Sequence, residues 1–247
     1  MTLPPDLLSA ATAIAWATVL AAGLMRGFSG FGSGMLMVPI LSILFGPPQA
    51  VAIVILLELV VSVQLLPGAY RFAHWRSIAA MSLAATLTIP LGTYGLVNLD
   101  PTLLRRAIAV VVLGFVLILL WGWKYTRRPG LPAILALGAA SGLLNGSAGI
   151  GGPPIIIFLL SGPNSARENR ANIIAFFSLI EAVTLVVLIA NGVVEAGTLW
   201  KWAVLSPAFV LGGYVGTRQF NQASETLYRR IALWFLMAVA LFTLFFR

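Results

Sequence analysis

The chain contains no cysteine, a single histidine and very little charge: only 9% of its 247 residues are Asp, Glu, Lys or Arg. Without cysteine there are no disulfides, thiolate nucleophiles or cysteine-held metals. One histidine cannot build a histidine-rich metal site, and His74 stands beside Trp75 in a short basic stretch, as an interfacial residue would. The shortage of charge excludes most. A soluble domain is about a quarter charged, because a surface facing water needs ionised groups. No GxxxxGK[ST] phosphate loop is present, so ATP hydrolysis by that route is excluded. With few acids, mostly in loops, little is left from which to build an enzyme's nucleophile and base or a metal set. No cofactor is expected. The opening MTLPPD carries no basic residue before the first apolar block, so that block is expected to stay as a membrane span rather than be cleaved as a signal peptide.

What is present is apolar. Hydrophobic residues make up 60% of the chain, many in blocks of about 20, the length that crosses a bilayer core of about 30 Å. The blocks are about 7 to 26, 34 to 46, 48 to 66, 77 to 97 and 103 to 123, then 131 to 146, 153 to 162, 171 to 190, 199 to 217 and 227 to 246. This describes an all-α polytopic membrane protein, one transmembrane domain over residues 1–247. The net charge of +8 comes from 15 basic and 7 acidic residues. Because the arginines lie in short loops, the balance reads as topology and contact with anionic lipid, not as nucleic-acid binding. Trp121, Trp123, Trp200 and Trp202 flank basic residues at block ends, as in an interfacial belt.

The chain divides into repeat one, about 7–123, a basic linker, 124–130, and repeat two, about 131–246. GLMRGFSGFGSG (23 to 34) is echoed by GLLNGSAGIGGP (142 to 153), with Gly23, Gly27, Gly30 and Gly32 matching Gly142, Gly146, Gly149 and Gly151. Glu58 and Glu181 lie mid-block at corresponding places in the two halves, LGTYG (91 to 95) faces LGGYVG (211 to 216), and Arg105 and Arg106 face Arg229 and Arg230. Tyr94 and Tyr214, at matching places, are expected to pack. A weak internal repeat marks many transporters. With four crossings per half the repeats are parallel and the two sides are nearly equally basic. With five segments per half they are inverted, and one side collects Arg71, Arg76, Lys124, Arg127, Arg128, Arg167, Arg170, Arg218, Arg229 and Arg230 against Arg105, Arg106, Lys201 and Arg247. The positive-inside rule favours the second arrangement, with both termini outside the cytoplasm.

The glycine-rich segments would ruin an ordinary helix, at about 1 kcal/mol for each Gly against Ala. Irregular backbone at membrane depth survives only inside protein or facing water. These segments are therefore expected to be central, as broken or re-entrant helices. Each is followed by a short apolar helix whose N-terminus presents free N–H groups and partial positive charge. Two such ends in a shared cavity make an anion site, to which Arg26, Ser29, Ser33, Asn145 and Ser147 add donors. The candidate substrate-binding residues are Arg26, Gly27, Ser29, Gly30, Gly32, Ser33, Asn145, Gly146, Ser147, Gly149, Gly151 and Gly152. The competing reading is that glycines such as Gly23, Gly27, Gly142 and Gly146 only permit close helix packing.

Glu58 and Glu181 are candidate proton-coupling residues, since a carboxyl at bilayer depth usually marks an ion or proton path. The alternative is a structural carboxyl paired with an arginine. Asn172, Ser178, Thr184 and Gln64 read as helix-to-helix hydrogen bonders. The pair RGFSGFGSGMLMVPIL and NGSAGIGGPPIIIFLL resembles the two half-motifs of the sulfite exporter TauE/SafE family of membrane permeases, over nearly the whole chain. The resemblance implies a secondary transporter of a small sulfur-containing anion such as sulfite, thiosulfate or an organosulfonate, often an exporter, in the bacterial inner membrane. The alternative is transport of another small solute or a metal cation, for which clustered carboxylates or histidines would be needed. The partners expected are the anion, protons and membrane lipids.

Overall fold

The computed structural model describes residues 10–100, 102–104, 106–107, 110, 114, 130–161, 164–222 and 224. Most of the fifth block of the first half, all of the fifth block of the second, Arg105, Arg229, Arg230, Trp121, Trp123 and nearly all of the basic linker lie outside these residues. The described part is helical: α1 (Ala10–Ser29), α2 (Ser33–Phe45), α3 (Pro47–Ala69), a 3-10 turn (Tyr70–Phe72), α4 (Trp75–Asn98), α5 (Leu131–Ala148), α6 (Gly152–Ser161), α7 (Ala166–Ala190) and α8 (Ala196–Gln222). Among the described residues, α1, α3, α4, α5 and α7 are long and apolar enough to cross a membrane. The more polar α8 is also long enough, at 27 residues.

Helix starts follow local chemistry. α3 begins on Pro47 and α5 carries a proline in its first turn, positions where the missing N–H costs nothing. α7 starts five residues before the apolar block expected at 171, because Ser165 and Glu168 form a reciprocal capping box that draws the polar ARENR segment into the helix. α2 and α6 are short: 13 and 10 residues give about 20 and 15 Å, well under a bilayer core.

Glycine sets the tightest packing. α1 lies on α8 through Gly23 and Gly27 against the backbone at Phe209 and Gly213, and through Gly212 and Gly216 against that of α1, where a Cβ would collide with the facing backbone. α4 lies on α5 in the same manner, through Gly92 against the backbone around Gly146 and through Gly138, Gly142 and Gly146 against that of α4. Thr217 Oγ1 donates to the Gly27 carbonyl (3.2 Å) and Thr88 Oγ1 to the Ala139 carbonyl (2.7 Å), fastening each pair further.

The contacts give directions. Leu20, Leu24 and Phe28 meet Gly212, Gly216 and Phe220 in rising order, so α1 and α8 run parallel. Met81, Ala85 and Ile89 meet Gly138, Gly142 and Gly146 likewise, so α4 and α5 run parallel. Gln49 bonds Lys201 while Val61 lies on Gly213, so α3 runs with α8. Ser62 meets Glu181 and His74 meets Asn172, so α7 runs against α3. The short 70–74 connection turns α4 back on α3, and α5 follows α4. Helix starts in the two halves keep a steady offset: 152 − 33 and 166 − 47 are both 119.

The outer face is apolar. Leu83, Leu87 and Leu91 form a bare stripe along α4, as a lipid-facing side requires. Tyr94 and Tyr214, expected to pack, are instead 68% and 58% exposed, their rings on the outer face. Tyrosine carries an apolar ring and a polar tip that suit the rim of a bilayer.

The glycine seams yield a direct expectation. Gly138→Leu drives a side chain into the Met81 backbone and is expected to cost about 3 kcal/mol or more. Gly68→Ala, where a Cβ meets nothing within 4 Å, is expected to be tolerated. Thermal unfolding in detergent should show a large fall in melting temperature for the first and none for the second.

Candidate functional site

Both glycine motifs end a helix in the same way. The Gly30 N–H donates to the Arg26 carbonyl (2.8 Å) and the Gly149 N–H to the Asn145 carbonyl (2.9 Å). Gly30 and Gly149 have φ of 84° and 63°, the left-handed region open to glycine, and so terminate α1 and α5. Ser29 Oγ closes the first turn on the Met25 and Phe31 carbonyls, at 2.7 and 2.9 Å. The chain then starts α2 at Ser33 and α6 at Gly152. Gly34 lies so close to the Gly149 carbonyl that a Cβ would collide with it. The two short helices thus begin side by side and leave in opposite directions, α2 towards the start of α3 and α6 towards the start of α7.

Between these two N-termini is a cavity lined by Arg26, Gly32, Ser33, Glu58, Asn145, Gly149, Gly151, Gly152, Phe177 and Glu181, with Gly34, Met35, Ile55 and Ile150. The centre of a water molecule can move over about 20 Å³ of it, which is room for about one water. This conformation is therefore closed around its polar centre. Arg26 is 1% exposed. Its Nε lies 3.0 Å from Glu58 and one terminal nitrogen 2.9 Å from Glu181. That nitrogen also donates to Ser62 Oγ (2.8 Å), and the other donates to the Gly30 carbonyl (2.7 Å). The Phe177 ring covers the guanidinium with its centroid at 4.8 Å. Ser62 Oγ donates to the second Glu181 oxygen (2.6 Å), and Ser33 Oγ donates to Glu58. In the second motif Asn145 takes Arg26's place: its amide donates to Thr184 Oγ1 (2.8 Å) and accepts from the Gly151 N–H (3.3 Å), while Ser141 donates to the Gly151 carbonyl.

The candidate residues therefore divide. Arg26, Gly32, Ser33, Glu58, Asn145, Gly149, Gly151, Gly152 and Glu181 come together around one cavity. Gly27 and Gly146 lie in the glycine seams, Gly30 faces Arg170, Ser147 bonds the Leu143 carbonyl of its own helix, and Ser29 closes its turn. Ser62, Phe177 and Met35 were not anticipated. A signal for Ser62 was available: the offset of 119 that links the helix starts places Ser62, and not Glu58, opposite Glu181, and Glu58 opposite Phe177. Among the described residues no group of three or more His, Cys, Asp or Glu could hold a metal.

A buried arginine between two carboxylates is costly to break. Arg26→Met leaves both glutamates at depth without a counter-charge and is expected to destabilise by about 3–5 kcal/mol. The fully neutral combination of Arg26→Met, Glu58→Gln and Glu181→Gln should recover much of that loss in thermal unfolding. Equal losses in the single and combined variants would show that charge pairing is not what holds this centre.

Similarity to known proteins bears on this geometry. Residues 15–243 match the family described as sulfite exporter TauE/SafE. The chain is 28% identical over 217 residues, 85% of its length and 85% of the relative's, to the "Probable sulfite/organosulfonate exporter TauE" of Cupriavidus necator. No solved structure matches. The family consists of membrane transporters, not enzymes. A match over most of the chain, on a helical protein with several apolar spans, identifies a multi-pass bacterial membrane protein that belongs to the sulfite exporter TauE/SafE family.

Proposed function

We propose that the protein is a secondary transporter exporting a small sulfur-containing anion, such as sulfite, thiosulfate or an organosulfonate, through the cavity at Arg26. The observation that carries this reading is the meeting of two helix N-termini and one buried guanidinium around a single cavity. Helix ends present N–H groups and partial positive charge, and the guanidinium fork matches an oxyanion in two places. The substrate-binding set is Arg26, Ser33, Asn145 and the backbone at Gly32, Gly149, Gly151 and Gly152. The sulfite or organosulfonate in the relative's name agrees with this chemistry. The cavity is too small for a sulfur oxyanion as it stands, so binding requires the site to open to one side at a time. Glu58 and Glu181 are the proton-coupling candidates.

The architecture behind this reading is one transmembrane domain of two inverted repeats, about 7–123 and 131–246, with α2 and α6 as re-entrant half-helices. Its support is the reversal of direction between counterparts: α1 against α5, α3 against α7 and α4 against α8. Arg71, Arg76, Arg167, Arg170 and Arg218 fall at one end of these helices, and Lys201 at the other. The first end is assigned to the cytoplasm by the positive-inside rule.

Two measurements test these readings. In proteoliposomes, counterflow of labelled sulfite, thiosulfate and a short sulfonate should reveal saturable exchange of at least one anion. Arg26→Lys keeps the charge but loses the fork, and exchange should fall about tenfold or more. Absence of exchange for every anion by folded wild type would end the anion reading. Because the chain has no native cysteine, single thiols report sidedness directly. His74→Cys should label only from the cytoplasm and Ala196→Cys only from outside; labelling of both from one side would overturn the orientation.

A further inference from the structure

The two carboxylates that meet Arg26 do so differently. Glu181 gives one oxygen to Arg26 and the other to the hydroxyl of Ser62, on the long helix α3. Glu58 gives one oxygen to Arg26 Nε and the other to the hydroxyl of Ser33, the first residue of α2. A carboxylate held by a helix N-terminal residue on one oxygen and a guanidinium on the other makes the contacts that a free oxyanion would make there. In this closed conformation the cavity has room for about one water, so no sulfur oxyanion fits beside the carboxylate while it holds Ser33 and Arg26. We propose that Glu58 is a tethered competitor of the substrate: the anion binds Ser33, the α2 N-terminus and Arg26 by displacing the Glu58 carboxylate, which takes up a proton as it leaves. This inference rests on the anion-transport reading and assigns to it the proton carrier and the stoichiometry.

Charge counting leads the same way. The charged side chains lining the cavity are Arg26 from α1, Glu58 from α3 and Glu181 from α7. α2 and α5 bring Ser33 and Asn145, which do not titrate, and α4 and α6 bring no charged group to it. Lys201 of α8 is held by Gln49 near the start of α3, away from the cavity. Adding an anion to two carboxylates would set three negative charges about one positive, where water screens poorly. Protonation of Glu58 as a singly charged sulfonate enters replaces one negative charge by another and leaves the sum unchanged. The proton comes from water on the open side. It returns to water on the far side when the anion departs and the carboxylate closes again on Ser33 and Arg26. Glu181 stays with Arg26 and Ser62 throughout. Each sulfonate that leaves the cell then carries one acid equivalent with it, in an electroneutral step, whereas a doubly charged anion such as thiosulfate carries one negative charge out with its proton.

The test is binding and proton uptake by purified protein in detergent, with methanesulfonate and thiosulfate as probes because both stay fully ionised through neutral pH. Calorimetric titration reads affinity, and an indicator dye in weak buffer reads protons. Wild type should take up about one proton per methanesulfonate bound, and its affinity should then fall as pH rises, by up to about tenfold per pH unit. Glu58→Gln should bind with no pH slope and no proton uptake. Anion binding by wild type without proton uptake overturns the proposal, whatever the folding of the variant. So does a slope that persists in Glu58→Gln and vanishes in Glu181→Gln. Failure of wild type to bind any of these anions is a different result, and removes the transport reading itself.

Discussion

A guanidinium cannot sit at bilayer depth without counter-charge, and Arg26 is 1% exposed. That constraint organises the centre of the protein. It requires α3 and α7 to deliver Glu58 and Glu181 to the end of α1, and fixes the register of three helices about one side chain. Ser62 and Ser33 then donate to the carboxylate oxygens that Arg26 leaves over, while the other Glu58 oxygen meets Arg26 Nε as an ion pair at 3.0 Å. A polar network at this depth is stabilising only when it is complete. The two glycine turns exist within the same constraint: their irregular backbone is tolerated because it is enclosed against this network and not against lipid.

The two short helices meet the same need by a different route. α2 and α6 bring partial positive charge to the cavity without a second cationic side chain. Arg26 in one half and Asn145 in the other occupy equivalent places, yet one forms ion pairs and the other only neutral hydrogen bonds. The site is thus symmetric in its backbone and asymmetric in its charge. A full positive charge in both motifs would call for further carboxylates that the cavity does not contain.

Much of this was legible in the sequence. Block length gave the long helices, and paired GLMRGFSGFGSG and GLLNGSAGIGGP marked where α1 and α5 end, because both depend on local composition. The boundary of α7 was missed because a capping box, not hydrophobicity, starts that helix. The glycines could not be sorted from sequence: Gly27 and Gly32 look alike, but the first faces Gly213 of α8 while the second lines the cavity. That difference depends on which helix lies opposite. Tyr94 and Tyr214 were misplaced for a related reason, since repetition alone does not say whether a shared residue faces the core or the lipid. The pairing of Arg26 with Glu181 spans 155 residues and has no local signature.

The same separation has a consequence for biosynthesis. α1 enters the membrane first among the described helices, carrying Arg26, but one of its two carboxylates and its whole glycine seam belong to α7 and α8. Until those helices are inserted, Arg26 has at most Glu58, and the face around Gly27 has no neighbour. α5 is placed otherwise: its seam partner α4 precedes it in the chain, so that contact forms as soon as α5 arrives. The first half of this protein therefore cannot finish folding on its own while it is being made, and waits for the C-terminal half to close it.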